Sequence, residues 1–242
     1  SRIGDNLPCG RPDGYVRAMI TLDIISDPIC PWCYIGKTRL DRALAEAGRN
    51  PFTPRWRMFR LNPDMPAEGM DRRQYLEAKF GGPEGATRVY GAIGEAAKGD
   101  GLDVDLDAIR RTPQTLDAHR LIRWAGEAGV GEAVVMELFD RYFRRGEDIS
   151  DRDLLADVAE AAGMERGVVE RLLAGDADRQ ALEEEEKAAR EMGVTGVPCF
   201  IIQGKYVIQG AQDTATWRRV IDEIADAATA QPEEAETAAP QG

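Results

Sequence analysis

Cys30-Pro31-Trp32-Cys33 decides how this chain is read. It follows a short apolar run, Ile20-Thr21-Leu22-Asp23-Ile24-Ile25, closed by Ser26-Asp27-Pro28, and it opens a stretch at 35–47 with Gly48 as its stop. The run has the length and β-branched content of a buried strand. The second stretch reads as a helix from Pro31, whose fixed φ suits the first helical position. The C-x-x-C pair therefore stands at a strand-to-helix junction. A helix N-terminus carries unpaired N–H groups and a partial positive charge. A thiolate there is stabilised and becomes a nucleophile near neutral pH. The second thiol, one turn on, is placed to close a disulfide with the first, which makes the pair a candidate redox dithiol.

Working outward, 53–61 alternates loosely through Trp56, Met58 and Phe59 and reads as a second strand. Asn62-Pro63-Asp64-Met65-Pro66 is then a loop. From Asp71 to about Met192 helical periodicity dominates, broken by glycines, with clear amphipathic segments at 116–128, 131–143 and 151–162. Ser150, with an acidic residue three positions on, resembles a capping box. Two short strands at 200–203 and 206–209, joined by Gly204-Lys205, read as a hairpin. A last helix begins at Asp213 or Thr214 and runs to about Ala228.

This order predicts an α/β chain: a thioredoxin fold with a large inserted all-helical domain. The expected division is 19–66 with 193–230 for the thioredoxin-like part and 67–192 for the insertion. An insertion of that length is expected to bury its own small core, lie over the active-site end of the sheet and shape a substrate groove. Within the fold, Val197-Pro198 has a defined place. A proline in a β-rich run removes a ladder hydrogen bond, and a cis bond in the turn entering the strand accommodates it; an ordinary trans proline at a strand start is the alternative. In thioredoxin folds such a cis proline lies against the active-site disulfide, and the backbone before it is free to pair with substrate.

At 242 residues, 43% hydrophobic and 31% charged, the chain suits one large domain or one domain with an insertion. The net charge of −12 and pI near 4.7 argue against non-specific binding to nucleic acid or anionic membrane. No apolar stretch is long enough to span a bilayer. Residues 1–18 are polar and Gly/Pro-rich, without the apolar segment of a secretory signal. They read as an N-terminal extension or cloning remnant before a domain starting near Met19, and Cys9 within them is given no function. The Glu/Ala/Pro-rich 231–242 is expected to be a disordered tail. The expected location is cytoplasmic, where structural disulfides are rare and a C-x-x-C is more often catalytic or metal-binding.

The chain resembles the DsbA family of thiol–disulfide oxidoreductases, and within it the FrnE-like branch related to 2-hydroxychromene-2-carboxylate isomerases and kappa-class glutathione transferases. The resemblance rests on the segment from Ser26 through Cys30-Pro31-Trp32-Cys33 to Gly36, on Arg60-Leu61-Asn62-Pro63-Asp64-Met65-Pro66, on Gly69-Met70-Asp71-Arg72 and Lys79-Phe80-Gly81-Gly82, on Ala118-His119-Arg120-Leu121, and on Gly193-Val194-Thr195-Gly196-Val197-Pro198. Gln114, where relatives carry Asn, and Cys199 after the proline depart from it.

The resemblance implies a dithiol cycle. Cys30, the more exposed thiol, forms a mixed disulfide with substrate, and the more buried Cys33 resolves it. Pro31, Trp32, Val197 and Pro198 support the site; Trp32 shields the disulfide, contacts substrate or simply packs. His119, the sole histidine, is a base or redox modulator on one reading and a structural helix residue on the other. Cys199 exchanges with the dithiol on one reading; strand alternation turns it away into the core on the other. The expected partners are thiol- or disulfide-containing proteins or small molecules, with glutathione or a thioredoxin system as redox partner, no other cofactor, no nucleic acid and no membrane.

Three further readings compete. A glutathione-dependent isomerase or transferase on the same fold typically carries Ser where Cys30 stands, and both cysteines here count against it. Structural zinc wants four ligands, and beyond the dithiol only Cys9, Cys199 and His119 are on offer, so no metal is expected. A non-enzymatic binding module would leave the dithiol without a purpose.

Overall fold

The computed structural model describes residues 19–230. The extension expected at 1–18, with Cys9, and the tail expected at 231–242 lie outside the described residues. The chain runs β1 (Ile20–Ser26), α1 (Pro31–Ala47), β2 (Phe52–Met58), β3 (Met70–Asp71), α2 (Arg72–Phe80), α3 (Pro83–Gly99), β4 (Arg111–Thr112), α4 (Leu116–Glu127), α5 (Gly131–Phe143), α6 (Arg152–Ala161), α7 (Arg166–Ala174), α8 (Arg179–Glu191), β5 (Cys199–Ile202), β6 (Tyr206–Gln209) and α9 (Thr214–Ala230).

The main sheet has the order β2-β1-β5-β6. β1 pairs parallel to β2 and antiparallel to β5, and β5 pairs antiparallel to β6. This is a thioredoxin-like fold, with α2 to α8 inserted between β2 and β5. Alternation along β1 divides its side chains between two faces. Leu22 and Ile24 pack with Leu40 and Ala43 of α1 and with Trp217 and Ile221 of α9. Ile25 packs on the opposite face with Phe59, Ala189, Val194 and Cys199. Trp217 is fully buried edge-on to Phe200, ring centroids 4.8 Å apart, a geometry that adds about 1 kcal/mol to the burial itself. In the β5–β6 turn, Gln203 and Gly204 both have positive φ, the backbone a tight hairpin demands.

The helical block does not keep a core of its own. Its largest apolar cluster, built on Leu121, Leu138, Phe139 and Tyr142, is continuous with Ile29, Cys30, Cys33 and Tyr34 of the dithiol turn. Tyr34 stacks on Phe139 at 5.0 Å and on Phe143 at 5.9 Å, which docks α1 against α5. Arg120, fully buried, donates to the carbonyls of Leu172, Gly175 and Ala177 at 2.6–2.8 Å and stacks on Trp124. It thereby satisfies the C-terminal carbonyls of α7.

Two local expectations are corrected, and one element is added. β2 ends at Met58, not Leu61: Phe59 makes the last bond to β1, donating to Ser26 O, and the next two N–H groups leave the ladder, Arg60 to Glu186 Oε1 and Leu61 to Asp27 Oδ2. Asp151, not Ser150, caps α6, accepting from Asp153 N at 2.9 Å, while the Ser150 hydroxyl turns back to Asp148. The two-residue pair β3–β4 was not expected.

Candidate active site

Cys30 is the N-cap residue of α1, with φ −88° and ψ 112°, and Pro31 follows in the first turn. The extended backbone at Cys30 turns the chain from β1 into the helix. Its N–H donates to Asp27 O at 2.9 Å, and its own carbonyl accepts from Cys33 N at 3.0 Å. Both cysteines are free thiols. The two sulfurs are hydrogen-bond neighbours, and burial together with the neighbouring Cys30 sulfur and its charge pushes the Cys33 thiol well up. The Ser26 hydroxyl and the Asp27 backbone act in the other direction. Ser26 Oγ closes no full hydrogen bond, so it offsets only part of the shift.

The sequence suggests that Cys30 is the more exposed of the two thiols, but the difference is marginal and both are buried. Cys30 is 3% exposed and Cys33 is 2% exposed. The reason is the shared core: the inserted helices pack onto the dithiol turn, and Trp32, Leu61 and Val197 lie partly buried against the same cluster.

The loop 193–198 brings the distant half of the site in. The Val197–Pro198 peptide is cis, and Cys30 Sγ donates to Val197 O at 3.7 Å. α8, which leads into this loop, is tied to the segment after β2. Glu186 accepts from Arg60 N at 2.7 Å and pairs with the Arg60 and Arg190 guanidinium groups at 2.7–2.8 Å. Burial raises the Glu186 carboxyl, but the hydrogen bonds from Arg190 and Arg60 outweigh it and hold it below the usual carboxylate range. The Pro198 ring packs close to Gly36, where an added Cβ would meet Pro198 Cγ and Ala211 Cα, both at 3.2 Å.

Cys199 lies on the other face of the sheet, fully buried beside Ile25, Phe59 and Val194. It belongs to a different cluster from the dithiol, although Leu61 and Val197 pack against both, and burial raises its thiol. His119 on α4 is brought to the back of the site: it is 3% exposed, with Nε2 at 3.6 Å from Asp27 Oδ1. Asp27 and Ser26 had no role in the sequence reading. Asp27 is fully buried; Oδ2 accepts from Leu61 N at 2.7 Å and Oδ1 from Ile29 N at 3.4 Å. It ties the loop after β2 to the dithiol turn. The available signal was an acidic residue in a three-residue link between an apolar strand and a C-x-x-C. Among the described residues no group of three or more His, Cys, Asp or Glu could hold a metal, and no helix is long and apolar enough to cross a membrane.

The family model for the DsbA-like thioredoxin domain matches residues 21–222. Among solved structures, a probable DsbA oxidoreductase from Streptomyces coelicolor is similar at a TM-score of 0.75 and 29% identity, over 84% of this chain and 89% of that one. A 2-hydroxychromene-2-carboxylate isomerase is similar at a TM-score of 0.62 and 18% identity, over 90% and 100% of the two chains. The cytosolic disulfide reductase DsbM from Pseudomonas aeruginosa, solved with glutathione, is similar at 0.60 and 18%, over 85% and 99%. The last two likenesses are of fold. The chain belongs to the DsbA-like thioredoxin domain family.

Proposed function

We propose that this chain is a thiol–disulfide oxidoreductase that exchanges disulfides with protein or small-molecule thiols through Cys30 and Cys33. The observation that carries the reading is the pair of contacting free thiols at the start of α1, with Cys30 Sγ 3.7 Å from Val197 O. As a reductase, the Cys30 thiolate attacks a substrate disulfide and one substrate sulfur departs as thiolate. Cys33 then attacks Cys30, the mixed disulfide breaks, and the second substrate sulfur departs with its electron pair. Substrate is reduced and the dithiol oxidised; the reverse sequence oxidises substrate. The main chain around Val197 is the surface against which an extended substrate backbone aligns.

Glutathione or a thioredoxin system is the proposed redox partner, with no other cofactor, and the cytoplasm the proposed compartment. The motifs around Arg60-Leu61-Asn62-Pro63 support the FrnE-like branch. The isomerase or transferase reading is weaker, because a second thiol in contact with Cys30 serves disulfide closure and has no part in activating glutathione.

The test is trapping. Cys33→Ala exposed to glutathione disulfide should accumulate protein carrying one glutathione on Cys30, read by intact mass and peptide mapping. The wild type should pass through that adduct to the internal disulfide, and Cys30→Ala should form neither. Equal labelling of all three proteins would refute the reading.

A further inference from the structure

Arg72 opens α2, and the β3–β4 pair sets it in place. Met70 pairs with Thr112 and Asp71 with Arg111, and Arg72 N donates to Arg110 O at 2.9 Å. Gly69, at φ 69°, lets the two strands close, because a Cβ there would stand 2.6 Å from Thr112 O. The segment Gly69-Met70-Asp71-Arg72 is a motif of the sequence to which the dithiol chemistry gives no part.

The Arg72 side chain turns inward, and the residue is 7% exposed. Nε donates to Tyr90 Oη at 2.7 Å and Nη1 to Thr112 Oγ1 at 3.0 Å. The rings of Tyr75, Tyr90 and Tyr142 surround Cζ, their centroids 5.6–5.8 Å away. Burial raises the phenols of Tyr90 and Tyr142, so both stay neutral beside the cation. Among the described residues no carboxylate pairs with this guanidinium. A buried charge is ordinarily paired, and here every partner is neutral. Nη2 donates to no described group and is not sealed from solvent.

Arg72 lines a cleft of about 740 Å³ between α2, α3 and residues 106–110, within the size range of small-molecule sites. Leu76, Ala86, Tyr90, Leu106 and Ile109 give it apolar walls. Its other charged groups are engaged or stand at the rim. Asp71 caps α2, accepting from Gln74 N at 3.0 Å, and Arg73 lies 3.5 Å from Glu77. Asp107 and Arg110 are exposed. Arg72 is therefore the buried charge of the lining. One free guanidinium nitrogen inside an acidic rim suits a singly charged carboxylate better than a phosphate dianion.

We propose that this cleft binds a small organic carboxylate with an apolar body. The acid group takes Nη2 of Arg72, and the body lies against Leu76, Leu106 and Ile109. Neither Cys30 nor Cys33 lines the cleft, so the site stands apart from the dithiol, and binding there does not require the redox chemistry.

The test is an NMR titration of the full-length, isotopically labelled protein with sodium benzoate, at an ionic strength held constant with chloride. The reporters are the Nε–H signal of Arg72 and the amide signals of Leu76 and Leu106. Benzoate should move them saturably with a Kd of about a millimolar, the range expected of so small a ligand. Benzamide, the same shape without the charge, should bind about tenfold more weakly, and phenyl phosphate no more tightly than benzoate. Arg72→Gln should weaken benzoate about tenfold or more. Asp107→Asn, at an exposed position, removes a like charge and should tighten benzoate about twofold; it carries the test if Arg72→Gln does not fold. Cys30→Ser should bind as the wild type does. Equal binding of benzamide, wild-type affinity in Arg72→Gln, no gain in Asp107→Asn, or loss in Cys30→Ser would overturn the site. Tighter binding of phenyl phosphate would overturn the choice of a carboxylate.

Discussion

Cys30 Sγ and Val197 O meet at 3.7 Å although the two residues stand 167 positions apart. The contact joins the end of β1 to the entry of β5, and it forms only because α8 returns the chain to the sheet. Everything between the two ends, the whole inserted block, is therefore under one geometric condition: it must deliver Val197 to the dithiol. The Arg60–Glu186–Arg190 group ties α8, which leads into the Val197 loop, to the segment after β2.

The first prediction concerns access. Trp32 is half-buried against the cluster that holds both sulfurs. Trp32→Ala should raise the rate of Cys30 alkylation about fivefold, the change expected if opening becomes easier by about 1 kcal/mol. Iodoacetamide labelling under native conditions, with peptide mapping, measures it. An unchanged rate would mean that the cover over Cys30 lies elsewhere.

Gly36 stands where α1 passes Pro198. A side chain there presses on Pro198 Cγ and on the backbone of Ala211 at 3.2 Å, and the backbone cannot retreat without moving the loop. Gly36→Val should cost about 1–3 kcal/mol and weaken disulfide exchange as well as stability. Denaturant melts together with the trapping assay read both effects.

Acid should loosen the α8 anchor. The folded-state pKa of Glu186 is held below the usual carboxylate range. A depressed carboxyl stabilises the fold above the unfolded pKa, and that contribution is lost as pH falls through the folded value. Glu186→Gln should remove about 3 kcal/mol at neutral pH, leaving Arg60 and Arg190 without their buried carboxylate. Its stability should also fall less steeply than wild type below about pH 4. Urea midpoints across pH measure the two slopes.

Cys199 should be silent in the redox chemistry. It packs in a different cluster, with Ile25, Phe59 and Val194, and its thiol is raised by burial. Cys199→Ala should cost about 1 kcal/mol of stability and leave the Cys30–Cys33 midpoint unchanged. A shifted midpoint would show exchange between the two clusters.

The sequence makes the elements of the site readable where each rests on local chemistry. β1, α1 with Pro31 and Gly48, the amphipathic helices α4 to α6, and the β5–β6 hairpin all carry period, cap or turn signals within a few residues. What escapes, apart from the approach of Val197–Pro198 to the dithiol, is what packing at a distance makes. The burial of Cys30 depends on Phe139 and Tyr142 arriving from α5. The end of β2 depends on Asp27 and Glu186 claiming N–H groups that would otherwise extend the strand. The small cavity lined by Ser26, Trp56 and His119 is likewise assembled from β1, β2 and α4, and no spacing in the chain links the three. β3 and β4, two residues each, are too short to show alternation.

The most direct test of the central claim is a glutathione redox titration of the purified chain, with the state of Cys30 and Cys33 read by alkylation and mass, and Cys30→Ser as control. A single reversible two-electron transition, confined to those two residues and lost in the variant, is the predicted result. A dithiol that stays reduced across the whole range of glutathione potentials would contradict it.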